Sequence, residues 1–383
     1  MKKCYLCFVA VILFVSLTIT NCAPQVAVPP TSASVPAATA TVAVIATTKP
    51  ACDKVFKVAW VTDAPVGDKG WTDAHNAGRL YVQENLPCVE TAIFDGVAEN
   101  DAQRVMFDLA EKGYQMIFAC TFGFMDAAEA AAKAYPNIIF EHIFGYKRLP
   151  NLATFGVRAY QTRYLTGIMA GMMTKSNKIG YIATFPIPQS FYNLDSFALG
   201  VKQANPNAKI HVVWTGSWYD PVIERQAAEA VLDLGADVIA MHAGSTAPMV
   251  AAEERGVYSI GWESDMAWSA PKAVLTSIAY DWALYYYQEV KAAMEGTWKT
   301  HDFYGGIDTK MTMLTPYGPM VPQEVKDKVS EWEAKIKSGW DVFVGPIKDD
   351  KGTIRVPEGT TLSMDEINQI EWITDNIVMA KTK

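Results

Sequence analysis

The chain is poor in the residues and spacings that carry reaction chemistry. It holds only 5 histidines in 383 residues, without ligand-pair spacing, which leaves no histidine-based metal motif. No Gly-rich loop ending in Gly-Lys-Ser/Thr occurs, and no dinucleotide fingerprint. There is no His-Glu-x-x-His pair and no Gly-x-Ser-x-Gly elbow for an activated serine. Charge is scarce as well. Charged residues are 19% of the chain, and 33 Lys and Arg stand against 41 Asp and Glu. A net charge of −8 argues against nucleic acid or an anionic membrane surface as the main partner. No short-period repeat is present.

What is present begins with an address. Lys2 and Lys3 precede an apolar run from Cys7 to Leu17, followed by polar Thr18, Thr20, Asn21 and Cys22. That run is too short to span a bilayer and reads as an export signal, residues 1–21. A Cys just past it fits a lipoprotein, with Cys22 as the acylated first residue, although Asn21 stands where a small residue is usual. Residues 22–54 are rich in Ala, Pro and Thr and read as a semi-extended tether. The folded part is therefore expected outside the cytoplasm, on a lipid anchor. Cys4 and Cys7 fall inside the signal and carry no redox reading. Cys52 and Cys88 each precede an expected strand. If those strands are parallel neighbours, a Cys52–Cys88 disulfide is expected in an oxidising compartment. The alternative is that these two and Cys120 are free buried thiols.

From residue 56 onward strands and helices alternate. Strands are expected at 56–62, 90–94, 115–120, 137–141, 152–157, 178–183, 209–214, 237–241, 257–261 and 274–279. Helices fall between most of them, with two more at 322–338 and 364–375. Gln115 to Cys120 is continuously apolar, as in a parallel strand covered on both faces. So many βα steps fit two α/β sheets better than one. The expected division is 55–157 plus about 280–315 as lobe 1, 158–279 as lobe 2, and 316–383 as an extension packing on the lobes. The chain is expected to cross between lobes at 151–160 and to return at 274–281.

An open parallel sheet binds its ligand beyond the carboxyl ends of its strands. The loops there carry Asp68, Trp71 and Thr72; Phe122 and Phe124; Phe185; Trp218; His242; and Glu263. Each has a bland reading, as a helix cap or a core ring. Together they put aromatic faces and acceptors at the strand ends of both expected lobes. That suits a small, flat, polar solute. His75, His142 and His242 could form a zinc site only by coming together from distant segments, and no metal or other cofactor is expected.

The same loops carry a resemblance. GDKGWTDAHNAGR, TFGFMDAAEAAAKAYPN, FEHIFGYK, TFPIPQ, VVWTGSWYDP, YSIGWESDM, LTSIAYDW and VGPIKDDKG run from near Lys57 almost to the end. The chain resembles the basic membrane protein family of substrate-binding lipoproteins, best known for purine nucleoside receptors of ABC importers. The resemblance implies a type I periplasmic-binding-protein fold: two Rossmann-like lobes, joined by a hinge, closing on solute. It implies a base held between Trp71 and Trp218, with Glu263 at the sugar, and it adds Tyr146 to the candidate residues. Three positions depart from the family pattern. Thr72 replaces an Asn, Glu263 replaces an Asp, and Thr276–Trp282 lacks the family's Lys. They weaken ribose binding more than base binding, so a nucleobase such as adenine is favoured, with a purine nucleoside as the alternative. The expected protein is a monomeric receptor, not an enzyme, that delivers its small-molecule ligand to a permease. A sensing receptor for a membrane signalling partner is one rival. A nucleoside hydrolase using Asp63, Asp68 and Asp73 is another.

Overall fold

The computed structural model describes residues 52–380. The export signal, Cys22 and all but the last three residues of the tether lie outside the described residues. The first lobe opens with β1 (Phe56–Val61), α1 (Trp71–Asn85), β2 (Val89–Phe94), α2 (Ala102–Glu111) and β3 (Met116–Ala119). It continues with α3 (Met125–Ala134), β4 (Ile139–Ile143) and β5 (Leu152–Val157). The second holds α4 (Tyr160–Met173), β6 (Lys178–Ala183), α5 (Pro188–Ala204), β7 (Lys209–Trp214) and α6 (Pro221–Asp233). Then follow β8 (Val238–Met241), α7 (Ala247–Glu254), β9 (Tyr258–Gly261) and β10 (Val274–Tyr280). The chain returns through α8 (Ala283–Met294) and β11 (Asp302–Gly305). Next come β12 (Thr312–Leu314), α9 (Gln323–Lys337), β13 (Ile347–Lys348), β14 (Ile354–Val356), α10 (Met364–Ile367) and β15 (Ile377–Met379).

The apolar runs become strands buried on both faces, because helices cover each side. In β1, Val58 and Trp60 pack toward α1 and α8, while Ala59 and Val61 pack toward α2 and α3. The first sheet has the order β11-β5-β4-β3-β1-β2 and is parallel throughout. The second runs β12-β10-β9-β8-β6-β7-β15, parallel except for β12. Cys52 and Cys88, just ahead of the paired strands β1 and β2, are joined in a disulfide. Cys120 is a buried free thiol. No helix among the described residues is long and apolar enough to cross a membrane.

Two expectations need correction. β12 pairs with β10 in the second sheet, so residues 312–315 do not belong with the first lobe. A third crossing, between β11 and β12, causes this. It is tied to the first crossing by Arg158 N–H to Gly305 O at 2.6 Å and by Arg158 Nη2 to Asp308 Oδ1 at 2.6 Å. Second, the helix expected over 364–375 stops at Ile367. Beyond it Ile370 and Ile373 are drawn into the core. The Thr374 N–H donates to the buried Asp195 carboxylate at 2.8 Å, and Asn376 donates to the Ala198 carbonyl at 2.8 Å. These bonds steer the chain into β15, which covers the open edge of β7.

The second lobe depends on a close crossing of α4 and α5. A Cβ on Gly200 would lie 2.1 Å from the Tyr164 carbonyl oxygen, and one on Gly167 would lie 2.1 Å from that of Phe197. In a free helix Ala is favoured over Gly by about 1 kcal/mol. At this crossing overpacking reverses the sign. Gly200→Ala is expected to destabilise by about 1–3 kcal/mol in urea unfolding. A variant at least as stable as the parent would contradict the crossing.

Candidate functional site

The carboxyl ends of both sheets face one cleft. The first lobe lines it with Asp63, Asp68, Trp71, Thr121, Phe122 and Phe144, the second with Gln189, Trp218, Tyr219, His242, Gly244 and Glu263. The lobes are closed on each other at one rim. Ser264 Oγ donates to the Lys69 carbonyl, and a Cβ on Gly70 would lie 3.0 Å from both Glu263 Oε2 and the Gly244 carbonyl. Glycine at 70 is therefore what lets these loops meet.

Trp71 is the best-held aromatic ring. It stands at the first position of α1, and its indole N–H donates to the Cys120 carbonyl at the end of β3, 2.7 Å away. His75, one helical turn on, meets it edge to face at 4.4 Å and stacks on Trp282 at 4.7 Å. The His75 Nδ1 contacts the Tyr286 hydroxyl at 2.5 Å, and burial pushes the imidazole down to about 3, so it is neutral. Phe144 faces Trp71 at 6.2 Å with 27° between the rings. Opposite, Trp218 leans on Phe185 at 5.1 Å and lies 6.5 Å from His242.

The polar groups divide into those already engaged and those left open. Asp68 accepts the backbone N–H groups of Gly70 at 2.9 Å, Thr72 at 2.8 Å and Asp73 at 3.1 Å, so it fastens the start of α1. Asp63 accepts from Thr121 Oγ1 at 2.9 Å, and burial raises its carboxyl above the ordinary range. Glu263 sits at a left-handed φ of 72°, and its Oε2 is shut off from solvent without a hydrogen-bond partner among the described residues. Burial raises its carboxyl well above the usual value, with repulsion from Asp68, Asp63 and Glu224 adding to it and the Arg163 guanidinium opposing. Such a placement favours the protonated carboxyl, which can both donate and accept.

Six of the expected residues line the cleft: Asp68, Trp71, Phe122, Trp218, His242 and Glu263. Four do not. Thr72 faces inward and donates its hydroxyl to the Ala64 carbonyl at 2.9 Å. Phe124 is fully buried between α2, α3 and the sheet. Phe185 backs Trp218 without lining the cleft, and Tyr146 is 68% exposed beside a neighbouring chamber. Asp63, Thr121, Phe144, Gln189, Tyr219 and Gly244 take their places. Phe144 was recoverable. The expected strand 137–141 ends two residues before β4 does, and the true strand end points to Phe144. His75, His142 and His242 belong to separate settings: His75 meets Tyr286, His142 Nε2 meets the Thr121 carbonyl at 2.9 Å, and His242 faces the cleft. Among the described residues the group close enough to share a metal ion is Glu141, Glu289 and His301, and none of these lines the cleft.

Two parallel-sheet lobes joined by three crossings and closed over a cleft at their strand ends define a type I periplasmic solute-binding protein. Solved relatives share this fold. A solute-binding protein of an ABC transporter system from Aeropyrum pernix K1 aligns with a TM-score of 0.68 at 20% identity, covering 82% of this chain and 96% of that one. A counterpart from Conexibacter woesei DSM 14684 aligns with a TM-score of 0.60 at 20% identity, over 74% and 97%. Residues 55–343 match the family described as ABC transporter substrate-binding protein PnrA-like, and the chain belongs to that family. Its curated relatives include a purine-binding protein from Brucella abortus, 38% identical over 79% of this chain and 87% of its own length. They also include a putative ABC transporter glucose-binding protein from Haloferax volcanii, 38% identical over 77% of this chain and 76% of its own length. The protein is thus an ABC transporter substrate-binding protein, of a family of extracytoplasmic receptors rather than enzymes, with a small-molecule ligand and a permease as partners.

The raised carboxyl of Glu263 gives a pH prediction. A carboxyl raised in the folded state stabilises fully below its unfolded value, 4.5, and that contribution is lost as pH rises through the folded value. Glu263→Gln lacks this loss. The variant's melting temperature relative to the parent is expected to rise between pH 4 and pH 8, about the ordinary carboxyl range and beyond it. A flat or falling difference would contradict a proton held on Glu263.

Proposed function

We propose that the protein captures a purine, as free base or nucleoside, and delivers it to its permease by lobe closure. The observation that carries this reading is Trp71, fixed through its indole N–H at 2.7 Å with its ring in the cleft and Trp218 on the opposing lobe. Two indoles from opposite lobes form a stacking slot when the lobes close, and a flat heteroaromatic ring fills it. Base–aromatic stacking contributes about 1–3 kcal/mol per ring. The edge of the ring would meet polar groups suited to it. The Gln189 amide offers a donor and an acceptor side by side, the pair that reads adenine's amino group and ring nitrogen. Asp63 can accept from a ring N–H or an exocyclic amine. Protonated Glu263 can donate to a ring nitrogen or a hydroxyl. Asp68, whose oxygens serve the start of α1, is read as holding Trp71 in place rather than as the chief ligand contact.

A sugar is the second reading, favoured by the glucose-binding relative at 38% identity and by the way indole faces also cover the CH surfaces of a hexose. Cys22 is read as the lipid attachment point. Its replacement by Ser is expected to release the protein from membrane fractions into the soluble fraction, and a variant that stays bound would remove that reading.

Calorimetric titration of adenine, guanine, their nucleosides and glucose separates the ligand classes. A purine is expected to bind in the micromolar range or tighter, and Trp71→Ala and Trp218→Ala are each expected to weaken it by about 1–3 kcal/mol. Glucose binding with no response to any purine would replace this reading with the sugar one. Purine binding that neither tryptophan variant weakens would remove the stacking slot.

A further inference from the structure

Arg163 is a buried cation in an unfavourable place. It stands in the first turn of α4, where the helix dipole disfavours a positive charge, and it is completely buried. Glu263 is the acid whose charge reaches it, yet the two make no hydrogen bond. Arg163 Nε and Nη1 and Glu263 Oε2 are all shut in without a partner among the described residues. Burying an unpaired guanidinium is costly, and a well-packed apolar side chain of similar volume is often at least as stable. Packing alone therefore does not account for an arginine here.

The contacts that Arg163 does make lead to the cleft. Its Nη2 donates to the Met241 carbonyl at 2.5 Å, and its guanidinium carbon lies 3.5 Å from the centre of the Trp262 ring. Met241 is the last residue of β8, and Trp262 is the first after the neighbouring strand β9. In each case the next residue lines the cleft, His242 after Met241 and Glu263 after Trp262. One planar group thus fastens two adjacent strand ends, while Arg163 itself does not line the cleft. The Trp262 ring also lies 4.7 Å from the His242 ring, which lies 6.5 Å from Trp218. The charge reaches the same residue. The His242 imidazole is held well below its ordinary value, by burial first and by Arg163 second.

We propose that Arg163 is a positioning residue for the bound solute, setting the His242 and Glu263 side chains through the ends of β8 and β9. Its planarity matters as much as its charge. The guanidinium face covers Trp262 while its edge donates to Met241, a pairing that an ammonium on a flexible stem reproduces only in part. With adenine as the probe, the proposal rests on the purine reading above.

The test is a calorimetric cycle with adenine and with glucose, accompanied by melting curves. It uses the parent, Arg163→Met, Arg163→Lys, a double variant with His242→Gln and Glu263→Gln, and that double variant carrying Arg163→Met as well. Arg163→Met is expected to melt cooperatively, no lower than the parent, and yet to bind adenine about tenfold more weakly. Arg163→Lys is expected to fall between the two. In the double-variant background Arg163→Met is expected to cause no further loss, because it acts through those two side chains. Should Arg163→Met fail to fold, Arg163→Lys takes its place in the cycle, with a smaller loss and the same non-additivity expected. An equal loss in both backgrounds would make the effect independent of His242 and Glu263 and overturn the proposal. Adenine held by Arg163→Met as tightly as by the parent would also overturn it and leave the purine reading intact. Glucose binding that Arg163→Met weakens only where His242 and Glu263 are present, with no response to adenine, would keep the positioning role and remove the purine reading. No binding of either solute to the parent would remove both.

Discussion

The hydrogen bond from the Trp71 indole to the Cys120 carbonyl is the contact on which the site depends. It joins the first residue of α1 to the end of β3, and so fixes a large ring at the carboxyl edge of the first sheet. An indole has one donor, and once that donor is spent the ring cannot turn without breaking the bond. The ring is then backed by His75, Tyr280 and Trp282. Tyr280 ends β10 and Trp282 lies in the crossing that follows, so the Trp71 ring is packed against that crossing. On the reading proposed above, a change in lobe angle would move the packing behind Trp71 and so couple ligand occupancy to the shape a permease meets.

The polar half of the cleft follows a different logic. Asp63, Asp68 and Glu263 are three carboxyl groups in one small space, and burial raises each above its ordinary range. Three buried negative charges would repel each other and any π face placed among them. Burial that favours the protonated form of Glu263 eases this, and Arg163, buried under the Trp262 ring at 3.5 Å, supplies the opposing charge from behind. The cleft is thus lined with acids whose burial disfavours their charged forms.

The fold was largely legible in the sequence. Every run expected as a strand from 56 to 279 is a strand, because parallel strands covered on both faces must be continuously apolar. Asp220 followed by Pro221 is a local helix-start signal of the same kind, and the structure shows the Asp220 carboxylate accepting from Val222 and Ile223 N–H. The short strands β11, β12 and β15 were not readable. Each has only three or four residues, and each exists because a longer neighbour offers an open edge or a crossing needs to be fastened. Periodicity needs more residues than that to register. Helix 364–375 failed for a related reason: Ile367 and Ile370 stand at helical spacing, but the chain after them is drawn to Asp195, 179 residues from Thr374, which local pattern does not contain.

By itself, then, the chain determined its family, its alternation of strand and helix, and the loops that border the cleft. These depend on local composition and on the geometry of parallel sheets. Tertiary structure alone decided which loop residues face the cleft. Trp71 and Thr72 are neighbours in sequence, yet one lines the cleft and the other spends its hydroxyl on Ala64, because successive helical residues point about 100° apart. Only the folded chain could place Tyr192 and Asn368, 176 residues apart by their numbers, on one pocket beside the cleft. Sequence spacing carries no information on such a meeting, which is settled by how the two lobes and the extension pack.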